Sequence, residues 1–118
     1  MDAAAVDRAA IAESLSGYIA IDDKSHDVVT QPSFKSLSQP QQLVAYLLGV
    51  KAAALLGLQD QEGRSPSEVA KNTGVAPGTV RRILPDLAKK RLVSQDAGGR
   101  YFVAHHQVST AIATIAGN

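Results

Sequence analysis

The sequence contains no cysteine and no tryptophan, and only five aromatic side chains occur among its 118 residues. Without cysteine there is no disulfide framework, no thiolate zinc site and no cysteine nucleophile. With so few aromatics, the core must be built from Leu, Val, Ile and Ala, a composition that favours helices. The length and composition therefore predict one small, mainly α-helical domain, with or without an additional arm.

Long uncharged apolar runs are also missing from the chain. No stretch reaches the roughly 18 apolar residues that a membrane span requires. Acidic residues, Asp2 and Asp7, stand near the start, where a secretory signal would carry basic ones. We therefore expect a cytoplasmic protein.

Patterns typical of catalytic and metal sites are absent as well. The sequence has no glycine-rich phosphate loop, no nucleophile elbow and no pair of acids in an apolar context. Asp22 and Asp23 lie in a polar stretch, where both should be ionised and hydrated. His105 and His106 are adjacent, so their side chains should point in opposite directions. We expect no enzyme activity, no cofactor and no metal.

The charges present are divided unevenly along the chain, although the formal net charge is only +1. Residues 1–63 carry four Lys or Arg and eight Asp or Glu, a net −4, whereas residues 64–118 carry eight basic and three acidic side chains, a net +5. Such asymmetry indicates a nucleic-acid or membrane partner for the basic part, or a solvated basic surface without a partner.

The N-terminal third divides into a helical and a polar segment. Residues 2–20 are rich in alanine and have apolar residues at loosely helical spacing, which predicts a helix. Residues 21–39 mix charges, serine and proline with few apolar side chains, which predicts a linker that buries little. We therefore predict an arm of helix and linker over 1–39 and a second domain over 40–118.

A strongly apolar helix is predicted to follow over residues 40–58. Ser38, Pro40 and Gln41 provide a cap, an early proline and a capping-box partner. Between residues 43 and 58 the sole charge is Lys51, which we expect to extend to the surface. A helix that is apolar all round requires cover on every side, from the N-terminal helix or from a second copy of the chain. We expect a homodimer whose interface includes Leu43, Leu47, Val50 and Ala54.

Two short helices joined by a tight turn are predicted next. Ser65 and Glu68 form a capping box with proline at the first helical position. Gly74 can end this helix because glycine takes a positive φ without strain. A second helix begins near Pro77, with Val80, Ile83, Leu84 and Leu87 forming one apolar stripe. Its other face is small and basic, and Pro85 should kink or shorten it.

A β-hairpin and a last helix complete the predicted order of elements. Apolar residues flank Gly98 and Gly99, which predicts a hairpin over residues 92–103. Residues 107–116 carry Val108, Ile112 and Ile115 at helical spacing.

This order, with the segments GVAPGTVRRILPDLAKKRLV and DAGGRYFV, resembles the winged helix-turn-helix domain of prokaryotic regulators of the MarR and IclR types. The resemblance spans residues 43–106. It implies a mainly α fold with a small β-hairpin wing, here with extra N- and C-terminal helices. It also implies a transcription regulator that binds double-stranded DNA in the nucleoid, with helix 77–90 in the major groove. Arg91 stands where the family usually has glycine, at an expected cost of about 1 kcal/mol if the left-handed angle is kept.

The expected DNA-binding residues are polar, basic or small and lie on these elements: Ser67, Lys71, Gly78, Thr79, Arg81, Arg82, Lys89, Lys90, Arg91 and Arg100. A different use of the fold remains open, because winged helices also serve as protein-interaction or dimerisation modules, as in the N-terminal regions of small-molecule methyltransferases. The basic residues favour DNA. No effector pocket can be identified from the sequence.

Overall fold

The computed structural model describes the backbone of residues 3–117 and the side chains of residues 9–117. The α-helices in this range are α1 (Ala3–Leu15), α2 (Gln39–Leu55), α3 (Pro66–Thr73), α4 (Pro77–Lys89) and α5 (Val108–Ile115). The strands are β1 (Ile19–Ile21), β2 (Val28–Thr30), β3 (Ser94–Gln95) and β4 (Tyr101–Phe102), and 3-10 helices occupy Pro32–Ser36 and His105–Gln107. β1 pairs antiparallel with β2, and β3 with β4. The predicted fold class, mainly α with a small hairpin wing and flanking helices, is confirmed.

The central element is α2, which begins as the sequence predicts. The Ser38 side chain accepts from the backbone of Gln41, and the Gln41 side chain accepts from the backbone of Ser38, so the capping box is complete. Leu43 to Lys51 and Ala53 are all buried. Contacts with α1, α3, α4, α5 and both hairpins surround this helix. The chain itself therefore covers the apolar helix as far as Lys51, whereas Ala52, Ala54 and Leu55 in its last turns are only half-buried.

Because α2 is enclosed within one chain, most side chains expected at the dimer interface are buried. Leu43, Leu47 and Val50 are at most 1% exposed within the single chain, and Ala54 is half-buried. A second copy cannot reach the first three side chains unless the fold opens. The sequence pattern showed correctly that α2 needs cover, but helical periodicity carries no information on which chain supplies it.

The segment expected to be a polar linker is folded instead. Residues 19–30 form the β1–β2 hairpin, and a 3-10 helix follows it. Val28, Phe34 and Leu37 from this segment are buried in the same hydrophobic cluster as α2. Strands of three residues are too short to display a clear alternation in the sequence. The division of the chain at residue 39 stays a prediction, although side chains on both sides of it share one core.

Lys51 also differs from the expectation that it extends to the surface. Its side chain is 9% exposed, and its Nζ lies 3.1 Å from the Glu62 carboxylate, which is 32% exposed. The partner follows α2 in the chain and reaches the lysine only because residues 56–62 fold back. The sequence predicted that the Lys51 ammonium group extends into solvent. In the structure it forms an ion pair with Glu62 instead.

The terminal helices both contact α2 and also contact each other. The predicted N-terminal helix ends at Leu15 rather than near residue 20, with Gly17 at φ +86 in the turn that follows. Ile11 and Leu15 are buried, whereas the side chain of Val6 lies outside the described residues. Within residues 3–117, no helix has the length and apolar character needed to cross a membrane.

Candidate nucleic-acid interface

The turn between α3 and α4 is fixed by local hydrogen bonds. At the start of α3, the Glu68 N–H donates to Ser65 Oγ and the Ser65 N–H donates to Glu68 Oε1, both at 3.2 Å. At its end, Gly74 has φ +79, as predicted for the residue that stops the helix. The Thr73 hydroxyl donates to the Val69 carbonyl at 2.7 Å and accepts from the Val75 N–H at 3.2 Å. These bonds fix both ends of α3 and the first residues of the turn that leads to α4.

The α4 helix has one buried and one exposed face, as its sequence predicts. Val80, Ile83, Leu84 and Leu87 are buried, and Gly78, Arg81, Arg82, Pro85 and Lys89 are exposed. Pro85 does not shorten the helix, which continues to Lys89. The proline lies on the exposed face, where its lost N–H removes only the bond to the Arg81 carbonyl.

A concave surface lies between α3 and the beginning of α4. Ser67, Lys71 and Arg81 line this groove of about 410 Å³ together with the small or apolar residues of the turn, Ala70, Gly74, Val75, Ala76 and Pro77. Gly78 is exposed beside the start of α4, and a Cβ there would meet no atom within 4 Å. Three of the predicted DNA-binding residues therefore face one surface that is open to a partner.

Arg82 lies apart from Arg81, although the two are consecutive. Arg82 lines a second depression with Gln39, Pro40 and Asp86, at the beginning of α2. Successive residues on a helix are separated by about 100°. Thr79 is only half-buried and lies between the buried stripe and the exposed face. The structure thus places Arg81 and Arg82 on two sides of α4 rather than at one point.

Most basic side chains of this face are not neutralised. Within the described part of the chain, ion pairs join Lys51 to Glu62 and Lys90 to Asp86, the second at 3.1 Å. Lys71, Arg81, Arg82, Lys89 and Arg91 are exposed and form no ion pair with any described acid. The surface formed by α3, α4 and the residues after α4 therefore carries a net positive charge.

Arg91 has the left-handed conformation expected at this position, with φ +64. Its N–H donates to the Ala88 carbonyl at 3.0 Å, and the next residue, Leu92, donates to the Leu87 carbonyl at 2.9 Å. These bonds end α4 and direct the chain into the hairpin. Arg91 thus adopts a positive φ that is usual for glycine. Its exposed side chain adds a positive charge at the base of the hairpin.

The hairpin itself is shorter than the predicted span of 92–103, with paired residues only in β3 and β4. Asp96 Oδ1 accepts from the N–H groups of Gly98 and Arg100 at 2.9 Å, and Gly99 has φ +81 in the turn. Arg64 adds an isolated bridge, with two backbone hydrogen bonds to Tyr101. A single paired residue leaves no pattern in a sequence, so this third strand position was not predicted.

Arg100 is exposed at the hairpin, but it is directed towards a neighbouring segment. Its Nη1 donates to Gln61 Oε1 at 2.8 Å. Its Cβ lies close to Gly63, where an added Cβ would approach to 2.9 Å. This bond uses one of the five N–H donors of the Arg100 guanidinium, so the others are available for a contact with DNA.

One residue that positions the hairpin was missed by the sequence reasoning. Gln107 is 5% exposed and lies beyond the wing in the chain. Its Oε1 accepts from the Ser94 hydroxyl at 2.8 Å and the Ala104 N–H at 3.0 Å, and its Nε2 donates to the Arg91 carbonyl at 3.1 Å. A single buried amide thus joins the end of α4, the first wing strand and the segment before α5. No local motif marks a glutamine for this role.

Metal-binding groups were not expected, and the described residues contain no cluster of three or more His, Cys, Asp or Glu that could hold an ion. His105 and His106 are both exposed in the short 3-10 helix.

The sequence of residues 50–97 matches the family model of the IclR helix-turn-helix domain. The chain carries a winged helix-turn-helix domain. The match begins within α2, includes α3, α4 and β3, and ends in the wing turn. It covers 48 of the 118 residues, and the resemblance to MarR- and IclR-type regulators is confirmed over that part. No curated protein and no solved structure gives a significant match. The match indicates a DNA-binding transcription regulator.

Proposed function

We propose that the winged helix-turn-helix domain of this prokaryotic regulator binds double-stranded DNA with α4 in the major groove and the β3–β4 hairpin as a wing. The observation that carries the proposal is the exposed surface of α3 and α4, on which Lys71, Arg81, Arg82 and Lys89 form no ion pair with any described acid. A helix fits the major groove, where arginine can donate two hydrogen bonds to guanine. Arg81, beside the small residues of the turn, has the best position for base contact.

The remaining basic residues are assigned to the DNA backbone. Ser67 and Lys71 on α3 lie on the same groove as Arg81 and would reach phosphates beside it. Lys89, Lys90 and Arg91 would follow the backbone where α4 ends, and Arg100 would contact it from the wing. Phosphate contacts set affinity and orientation, whereas base contacts set specificity. Gly78 and Thr79 would permit a close approach of the helix to the bases.

A homodimer on pseudo-palindromic half-sites remains part of this proposal, because two such domains read a longer site than one. Its interface must lie outside the buried face of α2. We place the protein in the cytoplasm, on the chromosome, as a regulator without catalytic activity, cofactor or metal.

Fluorescence anisotropy with labelled genomic fragments at two salt concentrations tests DNA binding. Affinity should fall with salt, with a log–log slope of about −0.9 for each phosphate contacted. Arg81→Ala and Arg82→Ala should each weaken specific binding by roughly 1–3 kcal/mol if they contact bases. Lys71→Ala should weaken binding to all sequences equally and reduce the slope by about 1.

The matched control is Lys35→Ala, which removes an exposed lysine of the 3-10 helix Pro32–Ser36 that lines neither the groove of Arg81 nor the depression of Arg82. It should leave the affinity for the specific fragment almost unchanged. Unchanged affinity in the Arg81→Ala, Arg82→Ala double variant, with an unaltered circular dichroism spectrum, would refute the assignment of α4 as the recognition helix.

A protein-interaction role is the second candidate, and one observation favours it. An apolar groove of about 440 Å³ lies between α1, β1 and α2, lined largely by alanine and glycine, with Leu15, Ile19 and Ile21. Leu56 at its edge is 54% exposed. Sedimentation equilibrium of the wild-type chain and of Leu56→Ser tests whether this surface supports self-association. A wild-type monomer throughout the concentration range would contradict the homodimer.

A further inference from the structure

A second, polar pocket lies beside α3 and is lined by other residues than the groove proposed for DNA. It has a volume of about 250 Å³ and its polar lining comes from four parts of the chain: Asp27, Tyr46, Gln59, Arg64, Glu68 and Asn72. None of these six residues lines the groove that contains Lys71 and Arg81. The pocket is thus separate from the site proposed for DNA.

Tyr46 supplies a buried hydroxyl to this pocket. The residue is 2% exposed, and its oxygen accepts from Asn72 Nδ2 at 2.9 Å. No hydrogen bond among the described residues accepts the hydroxyl proton of Tyr46. Burial raises the pKa of Tyr46, although Asn72 and Arg64 oppose the change, so the hydroxyl stays protonated at neutral pH. A buried hydroxyl donor favours an acceptor, and a ligand in the pocket that Tyr46 lines can supply one.

Arg64 supplies a fixed positive charge. Its Nη1 donates to the carbonyls of Gln61 and Gly63 at 2.8 and 3.0 Å, and its Nη2 donates to Gln59 Oε1 at 3.0 Å. Gln59 is itself held by a 2.7 Å bond from its Nε2 to the carbonyl of His26. A guanidinium has five N–H donors. Three of them make these bonds and the side chain also lies within reach of the Tyr46 hydroxyl, so at most two remain for a ligand.

Two carboxylates face the same pocket, and neither forms an ion pair with Arg64 or any other described residue. One oxygen of Glu68 accepts from the Ser65 N–H, and Asp27 lies directly before β2. With one guanidinium and two carboxylates, the lining carries a formal charge of −1. A molecule that complements it must bring both an acceptor for Tyr46 and Arg64 and a positive charge for the acids.

We propose that this pocket binds a free α-amino acid. The carboxylate of the ligand accepts from the Tyr46 hydroxyl and the Arg64 guanidinium, and its ammonium group contacts Asp27 and Glu68. Charge-assisted hydrogen bonds of this kind are stronger than neutral ones. The volume lies just below the roughly 300–1,000 Å³ of pockets for drug-sized ligands, which suits a small zwitterion and excludes a nucleotide.

Thermal denaturation of the full chain with each of the twenty standard amino acids, followed by isothermal titration calorimetry, tests the proposal without DNA. At least one amino acid should raise Tm, because a ligand that binds only the folded state stabilises it. Its decarboxylated amine and its N-acetyl derivative should bind at least about tenfold more weakly, since each lacks one charged group. The absence of any Tm shift and any binding heat would overturn the proposal.

Conservative variants locate the binding site. Asp27→Asn, and Glu68→Gln, which keeps a capping-box side chain, should each weaken binding by roughly tenfold. Tyr46→Phe should do the same, provided that its circular dichroism spectrum is unchanged. Asp23→Asn, an exposed acid of the same hairpin that does not line the pocket, is the matched control and should bind like the wild type. Equal affinity in all four variants would assign the ligand to another site. Because no DNA is present, failure here leaves the proposed DNA binding untouched.

Discussion

At the scale of single residues, Arg91 departs from the rule that glycine is preferred where the backbone φ is positive. Its φ of +64 lies in the region that glycine occupies freely and that other residues enter at a cost of about 1–2 kcal/mol. Three hydrogen bonds hold the surrounding backbone: two end α4, and the third runs from Gln107 to the Arg91 carbonyl. The fold compensates for the strain, and the exposed guanidinium is available to a partner.

Arg91→Gly should therefore raise the free energy of unfolding by about 0.5–1 kcal/mol, the relief of strain reduced by the larger unfolded-state entropy of glycine. Urea denaturation followed by circular dichroism measures this change. Lys90→Gly is the matched control, because Lys90 has φ −80 and glycine gains nothing there. If Arg91→Gly is as destabilising as Lys90→Gly, the left-handed angle carries no strain. The proposed phosphate contact predicts weaker DNA binding in the same Arg91 variant.

At the scale of elements, the wing depends on residues outside its own strands. β3 and β4 have only two residues each, and an isolated two-stranded hairpin is marginally stable in water. Arg64 adds a bridge to Tyr101 on one side, and Gln107 holds the Ser94 hydroxyl on the other. The wing is thus positioned by the segments before α3 and before α5.

Gln107→Leu should destabilise the chain by roughly 2–3 kcal/mol, because it leaves the Arg91 carbonyl, the Ser94 hydroxyl and the Ala104 N–H without their partner. Hydrogen exchange should show faster exchange of the paired wing amides than of the α2 amides. Gln95→Leu, a change of an exposed residue in β3, should stay within about 0.5 kcal/mol of the wild type. Uniform loss of protection throughout the chain would argue against a specific role in the wing.

At the scale of the whole molecule, the acidic and basic parts of the chain share one core. The hydrophobic cluster includes Ile11 and Phe34 from the acidic part as well as Leu84 and Val103 from the basic part. The N-terminal segment thus packs against α2. The Lys51–Glu62 pair adds a polar connection between α2 and the segment that leads to α3.

The two partners of that pair should respond differently to mutation. Glu62→Gln leaves the 9% exposed Lys51 ammonium without its counter-charge and should cost roughly 1–3 kcal/mol. Lys51→Met leaves a carboxylate that is 32% exposed and can hydrate, so it should stay within about 1 kcal/mol of the wild type. Asp86→Asn, which breaks the exposed pair with Lys90, is the control and should have little effect. Thermal and urea denaturation measure the stability of all three variants. Equal losses of stability in Glu62→Gln and Lys51→Met would contradict the expected difference between the two partners.

The sequence by itself determined the elements whose signals are local. The capping boxes at Ser38 and Ser65, the left-handed positions at Gly74 and Arg91, and the apolar stripe of α4 each depend on residues within a few positions of one another. The same holds for the turn at Gly98 and Gly99. These signals were sufficient to predict the winged helix-turn-helix arrangement and the exposed face of α4.

Only the tertiary structure decided how the rest of the chain covers α2 and which polar groups meet. The burial of Leu43 and Leu47, the pairing of Lys51 with Glu62, the separation of Arg81 from Arg82 into two depressions, and the three bonds of Gln107 join residues that packing brings together. Periodicity shows that a helix needs apolar cover but not which surface provides it. Side chains of the β1–β2 hairpin and of the terminal helices cover the surface of α2 that a second copy of the chain was expected to cover.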